Sequence, residues 1–148
     1  MNGGAPARVR DGSRPLRVLA WVSGGYDLAL ALPMLFAAPL VARLFGAPEP
    51  VPLVNAQLNG VFTLALALGY FWAGRDPLAR TGYFWVAGVL AKGLGAALFV
   101  LDHVNQGAPV AFLAFAASDG SLAAVTLLLL LRARASSAQG AGTPRRVP

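Results

Sequence analysis

The sequence predicts an all-α protein, a four-helix transmembrane bundle with disordered basic tails. Three observations predict it. Of 148 residues, 57% are hydrophobic and 12% charged, against roughly 45–50% and about 25% in a soluble domain, which leaves too little polar side chain to clothe a water-exposed surface. The apolar residues gather into four stretches, each reaching the roughly 20 residues that cross about 30 Å of hydrocarbon. Most arginines flank those stretches, as topology signals do.

Residues 1–16, MNGGAPARVRDGSRPL, are polar, basic and rich in Gly and Pro, and read as a disordered tail. The transmembrane domain occupies 17–132. Its first span runs from 18 to about 44, opening after Arg17 and closing at Arg43. It is too long for the apolar region of a signal peptide, about 7–15 residues, and Asp27 interrupts it, so it reads as a retained helix. Pro33 removes a backbone donor and predicts a kink, which neighbouring helices tolerate in a membrane. The segment 46–52, GAPEPVP, has three prolines in seven residues and reads as a short stiff loop.

The second span covers about 53–73 and leads into a charged turn, 74–80, GRDPLAR. Here Arg75 anchors the topology and Asp76-Pro77 initiates the turn. The third span covers about 82–101, the polar loop DHVNQGAP follows at 102–109, and the fourth span, 110–131, carries a single charge, Asp119. Residues 133–148 form a second basic, low-complexity tail.

Ten arginines lie in the two tails and the 74–80 turn, and only Arg43 lies on the other side. The positive-inside rule therefore puts both termini in the cytoplasm of a multi-pass protein of the cell inner membrane. Tyr70, Phe71 and Trp72, with Tyr83, Phe84 and Trp85, then form an aromatic belt at the cytoplasmic interface.

Several chemistries are absent. Without cysteine there is no thiolate metal site, disulfide or cysteine nucleophile. No phosphate-binding loop, HExxH or GxSxG motif occurs. A lone histidine, His103, builds neither a His-based haem pair nor a His-rich metal site; beside Asp102 it is a solvated loop residue or a pH sensor. No catalytic residue, metal site or cofactor follows from the sequence. The net charge of +6 sits in tails without interleaved aromatics, which favours anionic lipid over nucleic acid as the partner.

Three ionisable side chains lie where hydrocarbon should be: Asp27, Lys92 and Asp119. At 1.5 Å of rise per residue they lie roughly 15, 15 and 20 Å from the basic boundary, near the midplane of three different helices. Asp27 shares a stripe with Ala20, Ser23, Gly24 and Ala31; Lys92 with Gly88, Ala91, Gly95 and Phe99; Asp119 with Phe115, Ala116, Leu122, Ala123 and Thr126. Small residues let helices approach closely in lipid, and charges belong in the bundle interior. One reading is a structural ion pair that fixes the helix arrangement. The other is a proton, cation or polar-ligand site, because two carboxylates and one ammonium leave a surplus buried charge. Gln57 and Asn59, with Asn55, add polar groups to the outer third of the second span. They read as interhelical hydrogen-bonding groups or as a vestibule towards the charges.

The turn Gly74-Arg75-Asp76-Pro77, the glycine-rich third span from Gly88 through Lys92 to Gly95, and Ser118-Asp119 in the fourth span together resemble a family of small bacterial four-span membrane proteins of uncharacterised activity. Its members place Asn before the fourth-span Asp, tryptophans after it, and a Gln early in the second span. Gln57 matches that Gln, whereas Ser118, Ser121, Leu122 and Ala123 depart from the pattern. In size and span count the chain is also similar to DoxX-like proteins, which implies a tie to membrane redox partners. The expected function is an accessory or interaction subunit, working with a protein partner or as a homo-oligomer, with the Asp/Lys network ordering its helices. The alternatives are a proton-coupled carrier or small-molecule or lipid binder using Asp27, Lys92 and Asp119, and a subunit of a membrane redox complex. Fusion reporters at the two termini and within 46–52 are expected to place the termini on one side of the membrane and the loop on the other; any other pattern overturns the topology.

Overall fold

A computed structural model describes residues 13–141. Five helices follow one another: α1 (Ser13–Phe36), α2 (Ala38–Leu44), α3 (Leu53–Ala73), α4 (Thr81–Gln106) and α5 (Leu113–Ala141). No strand occurs among the described residues. The four long helices, α1, α3, α4 and α5, have the length and hydropathy to cross a bilayer, as in a multi-pass membrane protein. The all-α bundle is therefore as the sequence predicts.

Two boundaries move. Residues 13–16 and 133–141, assigned above to the tails, are helical. Leu16 is fully buried in the core, and Ala133 packs against the same cluster. The Arg134 guanidinium lies 4.8 Å from the centre of the Trp85 ring. Packing thus extends both helices past the apolar window that marks a span. Tail residues 1–12 and 142–148 lie outside the described residues.

A helix break also appears beyond Pro33. Pro33 sits within an unbroken α1, and the break comes at Ala37, ahead of Pro39. Pro39 lacks the N–H that would serve Leu35 O within a continuous helix, and its ring would crowd that carbonyl. In the first turn of α2 the missing donor does no harm. Gln57 Nε2 of α3 donates to Leu35 O at 3.4 Å, so a side chain satisfies the carbonyl that Pro39 strands.

The long helices pack as two tight pairs, α1 with α3 and α4 with α5, and the pairs touch one another far less. Glycine makes each pair tight. A Cβ at Gly60 would lie 2.8 Å from Leu35 Cγ and 3.2 Å from Ala31 O, and one at Gly88 would lie 2.6 Å from Thr126 Cγ2. Between hydrocarbon-covered helices such close backbone contact replaces the hydrophobic driving force available in water.

The pairs meet at three levels. At the end bearing the 74–80 turn, Leu16, Ala20, Tyr70, Ala73, Phe84, Ala87 and Leu130 of all four long helices form a buried apolar cluster. At the opposite end Phe45, Phe99, Phe112 and Phe115 pack with ring centroids 4.8–6.2 Å apart. The charges lie between. The 74–80 turn is held as its sequence suggests: Ala79 N donates to Asp76 Oδ1 at 3.4 Å, while Arg75 is exposed. The Arg80 guanidinium donates to Trp72 O and covers the Trp72 ring. Gly107, at φ +70°, caps α4, and His103 Nδ1 bonds Ala108 O at 2.7 Å, which makes His103 a loop tie rather than a freely solvated group.

Replacing Gln57 by Leu strands Leu35 O and is expected to lower stability by about 1 kcal/mol, the usual size of an interhelical hydrogen bond in lipid. In a Pro39→Ala background the same change is expected to have no effect, because residue 39 then supplies the donor. Unfolding of the four proteins of this cycle in mixed micelles checks the coupling.

Candidate functional site

Asp27 rises from the middle of α1, on the stripe of Ala20, Ser23, Gly24 and Ala31, all buried. Lys92 stands where α4 changes its winding. Phe84–Ala91 is π-helical, and α-helix resumes at Lys92. A π-turn takes five-residue hydrogen bonds and holds more residues per turn, so it shifts the phase of whatever follows. Gly88 and Lys92 share the buried face, as positions i and i+4 do, while Ala91, grouped with them in the sequence reading, is exposed. Asp119 sits on α5 with Ala116, Ala123 and Thr126 buried alongside it. A Cβ on Gly95 of α4 would approach Asp119 Oδ2 to 3.8 Å, so glycine there leaves the carboxylate room.

The three charges meet. Lys92 Nζ donates to Asp27 Oδ1 at 2.7 Å and to Asp119 Oδ1 at 3.0 Å. The side chains of Lys92 and Asp27 are 5% and 3% exposed and that of Asp119 17%, so the cluster is sealed except beside Asp119. The ammonium also lies 4.8 Å from the centre of the Tyr26 ring, a cation–π distance. Two carboxylates and an aromatic face thus surround Lys92, the arrangement a cation needs in a dry interior.

A second bond braces the cluster. Ser118 Oγ donates to the carbonyls of Ala114 and Phe115 at 2.9 and 3.1 Å. The Tyr26 hydroxyl is then the donor in its 2.7 Å bond to Ser118 Oγ. This links α1 to α5 directly beside the charges. Sequence reasoning passed over Tyr26 and met Ser118 only as the residue before Asp119. The signal was adjacency: each precedes a buried aspartate and points a polar group along the same seam.

Not every polar group is matched. Asp27 Oδ2 is buried without a hydrogen-bond partner. One turn towards the 74–80 end, the Ser23 and Tyr70 hydroxyls lie beside each other, buried but not aligned for a hydrogen bond. Two carboxylates share one ammonium, so a negative charge is left without a cation.

The polar residues of α3 stay outside. Gln57 serves Leu35 O, and Asn55 and Asn59 are exposed. The Asn59 carbonyl accepts from Thr63 Oγ1 at 2.8 Å within the same helix. Of these residues, Gln57 ties α3 to α1. No cluster of His, Cys, Asp and Glu suited to a metal ion occurs among the described residues. Comparison with protein-family models, curated proteins and solved structures finds no match to this chain.

Removing Lys92 leaves two buried carboxylates facing one another. Lys92→Met is expected to lower the unfolding free energy by about 3–5 kcal/mol, the size seen when one partner of a buried pair is deleted. Adding Asp27→Asn to it is expected to restore part of the loss. Asp119→Asn alone is expected to cost least, since Asp119 has some access to water. Denaturant unfolding of these variants in lipid nanodiscs gives the ranking.

Proposed function

We propose that this chain is a non-catalytic accessory or interaction subunit of a bacterial inner membrane. In this reading the Asp27–Lys92–Asp119 network fastens two helix pairs into one rigid body. The observation that carries it is the state of Lys92. Its ammonium is engaged by both carboxylates and the Tyr26 face, and its side chain is almost wholly enclosed. With two of its three N–H donors taken by carboxylates and its side chain enclosed, this cation offers a substrate little access. Apolar clusters on either side of it, one of them aromatic, suit a fastener better than a conduit. Both termini lie in the cytoplasm in this reading, with the basic 74–80 turn. The partner is a second copy or another membrane protein, met through the outer faces of the helices. The likeness to small four-span bacterial proteins is consistent with such a role.

A second reading, a proton-coupled carrier, draws on the surplus carboxylate and on the unpartnered Asp27 Oδ2, which together provide for one exchangeable cation besides Lys92. The redox-subunit reading has no comparable observation behind it.

Native mass spectrometry of the full chain, taken from its own membrane in nanodiscs, tests the first reading when paired with infrared difference spectroscopy of the same sample. A complex of fixed stoichiometry is expected, with no carboxyl band that titrates as the pH is stepped through neutrality. A monomer whose carboxyl band titrates, and loses that band in Asp27→Asn, would replace the first reading by the second.

A further inference from the structure

Away from the charges, α1 and α5 part to leave an apolar groove of about 500 Å³. Val18, Leu19 and Val22 form one wall and Leu122, Val125 and Leu129 the other, with Arg14 and Pro15 at the mouth. The groove has a closed end. Tyr26 follows Val22 by one turn, Ser118 precedes Leu122 by one turn, and their 2.7 Å hydrogen bond bridges the helices there. Its open end points to the boundary marked by Arg14 and Arg17. Arg14 is the basic residue that lines the mouth, and Arg132, exposed, follows Leu129 by three residues on α5.

From this geometry we infer that the groove is a binding site for one anionic phospholipid, with an acyl chain along the walls and the phosphate at Arg14. The inference is independent of what the charge network does. Length supports it: Arg14 to Tyr26 spans twelve residues of α1, roughly 18 Å, close to the roughly 15 Å depth of one leaflet's hydrocarbon. Chemistry supports it as well. Six aliphatic side chains offer a ligand nothing but hydrocarbon contact, so specificity must come from the mouth. A guanidinium there pairs with phosphate in bidentate fashion. A zwitterionic lipid fits the walls equally well, but its own cation offsets the attraction.

The test uses the full chain in nanodiscs of equal phosphatidylglycerol and phosphatidylcholine, released for native mass spectrometry. One retained phosphatidylglycerol is expected, favoured over phosphatidylcholine by about fivefold per basic side chain engaged. Arg14→Gln is expected to lower that preference about fivefold without changing the melting temperature. Val125→Trp is expected to expel the lipid by filling the groove. Val125 is 45% exposed, so the indole enters the groove rather than the core. Equal retention of both lipids by the unaltered chain overturns the proposal, as does lipid retention unaffected by Val125→Trp. A dimer that dissociates in Val125→Trp while lipid retention persists would assign the groove to a second copy, and overturns it too.

Discussion

The bond from Lys92 to the two aspartates is the charged contact that links the two helix pairs, at the level where both bury their polar groups. In lipid there is no hydrophobic force to draw one helix pair onto another, because acyl chains solvate apolar faces as well as leucine does. The α1–α3 and α4–α5 pairs cohere through glycine-sized contacts. Each would be a passable unit alone. Lys92 belongs to one pair, yet it bonds Asp27 in the other and Asp119 in its own. It therefore sets the rotation and height of α1 against α4 and α5 in a way that interchangeable apolar contacts do not. Tyr26 reinforces the same register, with its ring under the ammonium and its hydroxyl on Ser118.

The winding of α4 changes just before that ammonium. The π-helical stretch Phe84–Ala91 ends one residue before Lys92. Gly88 packs onto Thr126 and Lys92 lies in the seam, while Ala91 faces out. The wider winding weakens no buried contact, since Phe84 and Ala87 still reach the apolar cluster. A comparable accommodation occurs at the other end of the bundle. Pro39 ends α1 and lets α2 bend away, which brings Phe45 over Phe112 and Phe115. Gln57 answers the carbonyl that this bend exposes. Irregular backbone at membrane depth persists because a neighbouring helix satisfies it.

The spans, the interior position of the three charges and their common depth were legible in the sequence, for physical reasons. Hydrocarbon thickness sets span length, and the cost of a lipid-facing charge leaves the interior as its only place. What was hidden depended on neighbours. Pro33 and Pro39 look alike in the sequence, but only Pro39 lies where the chain turns out of the bundle. Gln57 looked like a site residue because its partner, a backbone carbonyl, carries no sequence signature. The stripe assigned to Lys92 included Ala91, which lies a full residue's rotation from Lys92 and faces out. The helical state of residues 13–16 and 133–141 was hidden for another reason: hydropathy marks where lipid ends, whereas packing can carry a helix beyond it.

Fastening a bundle at selected points also decides where it stays open. The apolar cluster ties α1 to α5 through Leu16 and Leu130, and the Tyr26–Ser118 bond ties them again at the level of the charges. On the outer side between those ties, α1 already uses its inner stripe against α3, and α5 uses its own against α4. Val18, Val22 and Val125 are therefore left facing one another across a gap that neither helix can close without giving up its primary partner. In water such a gap would collapse or recruit a loop. In a leaflet it fills with a hydrocarbon chain, and Arg14 at its mouth determines which head group that chain carries. The groove is thus a consequence of building the protein from two tight pairs that a few polar bonds and two apolar clusters join at separate levels.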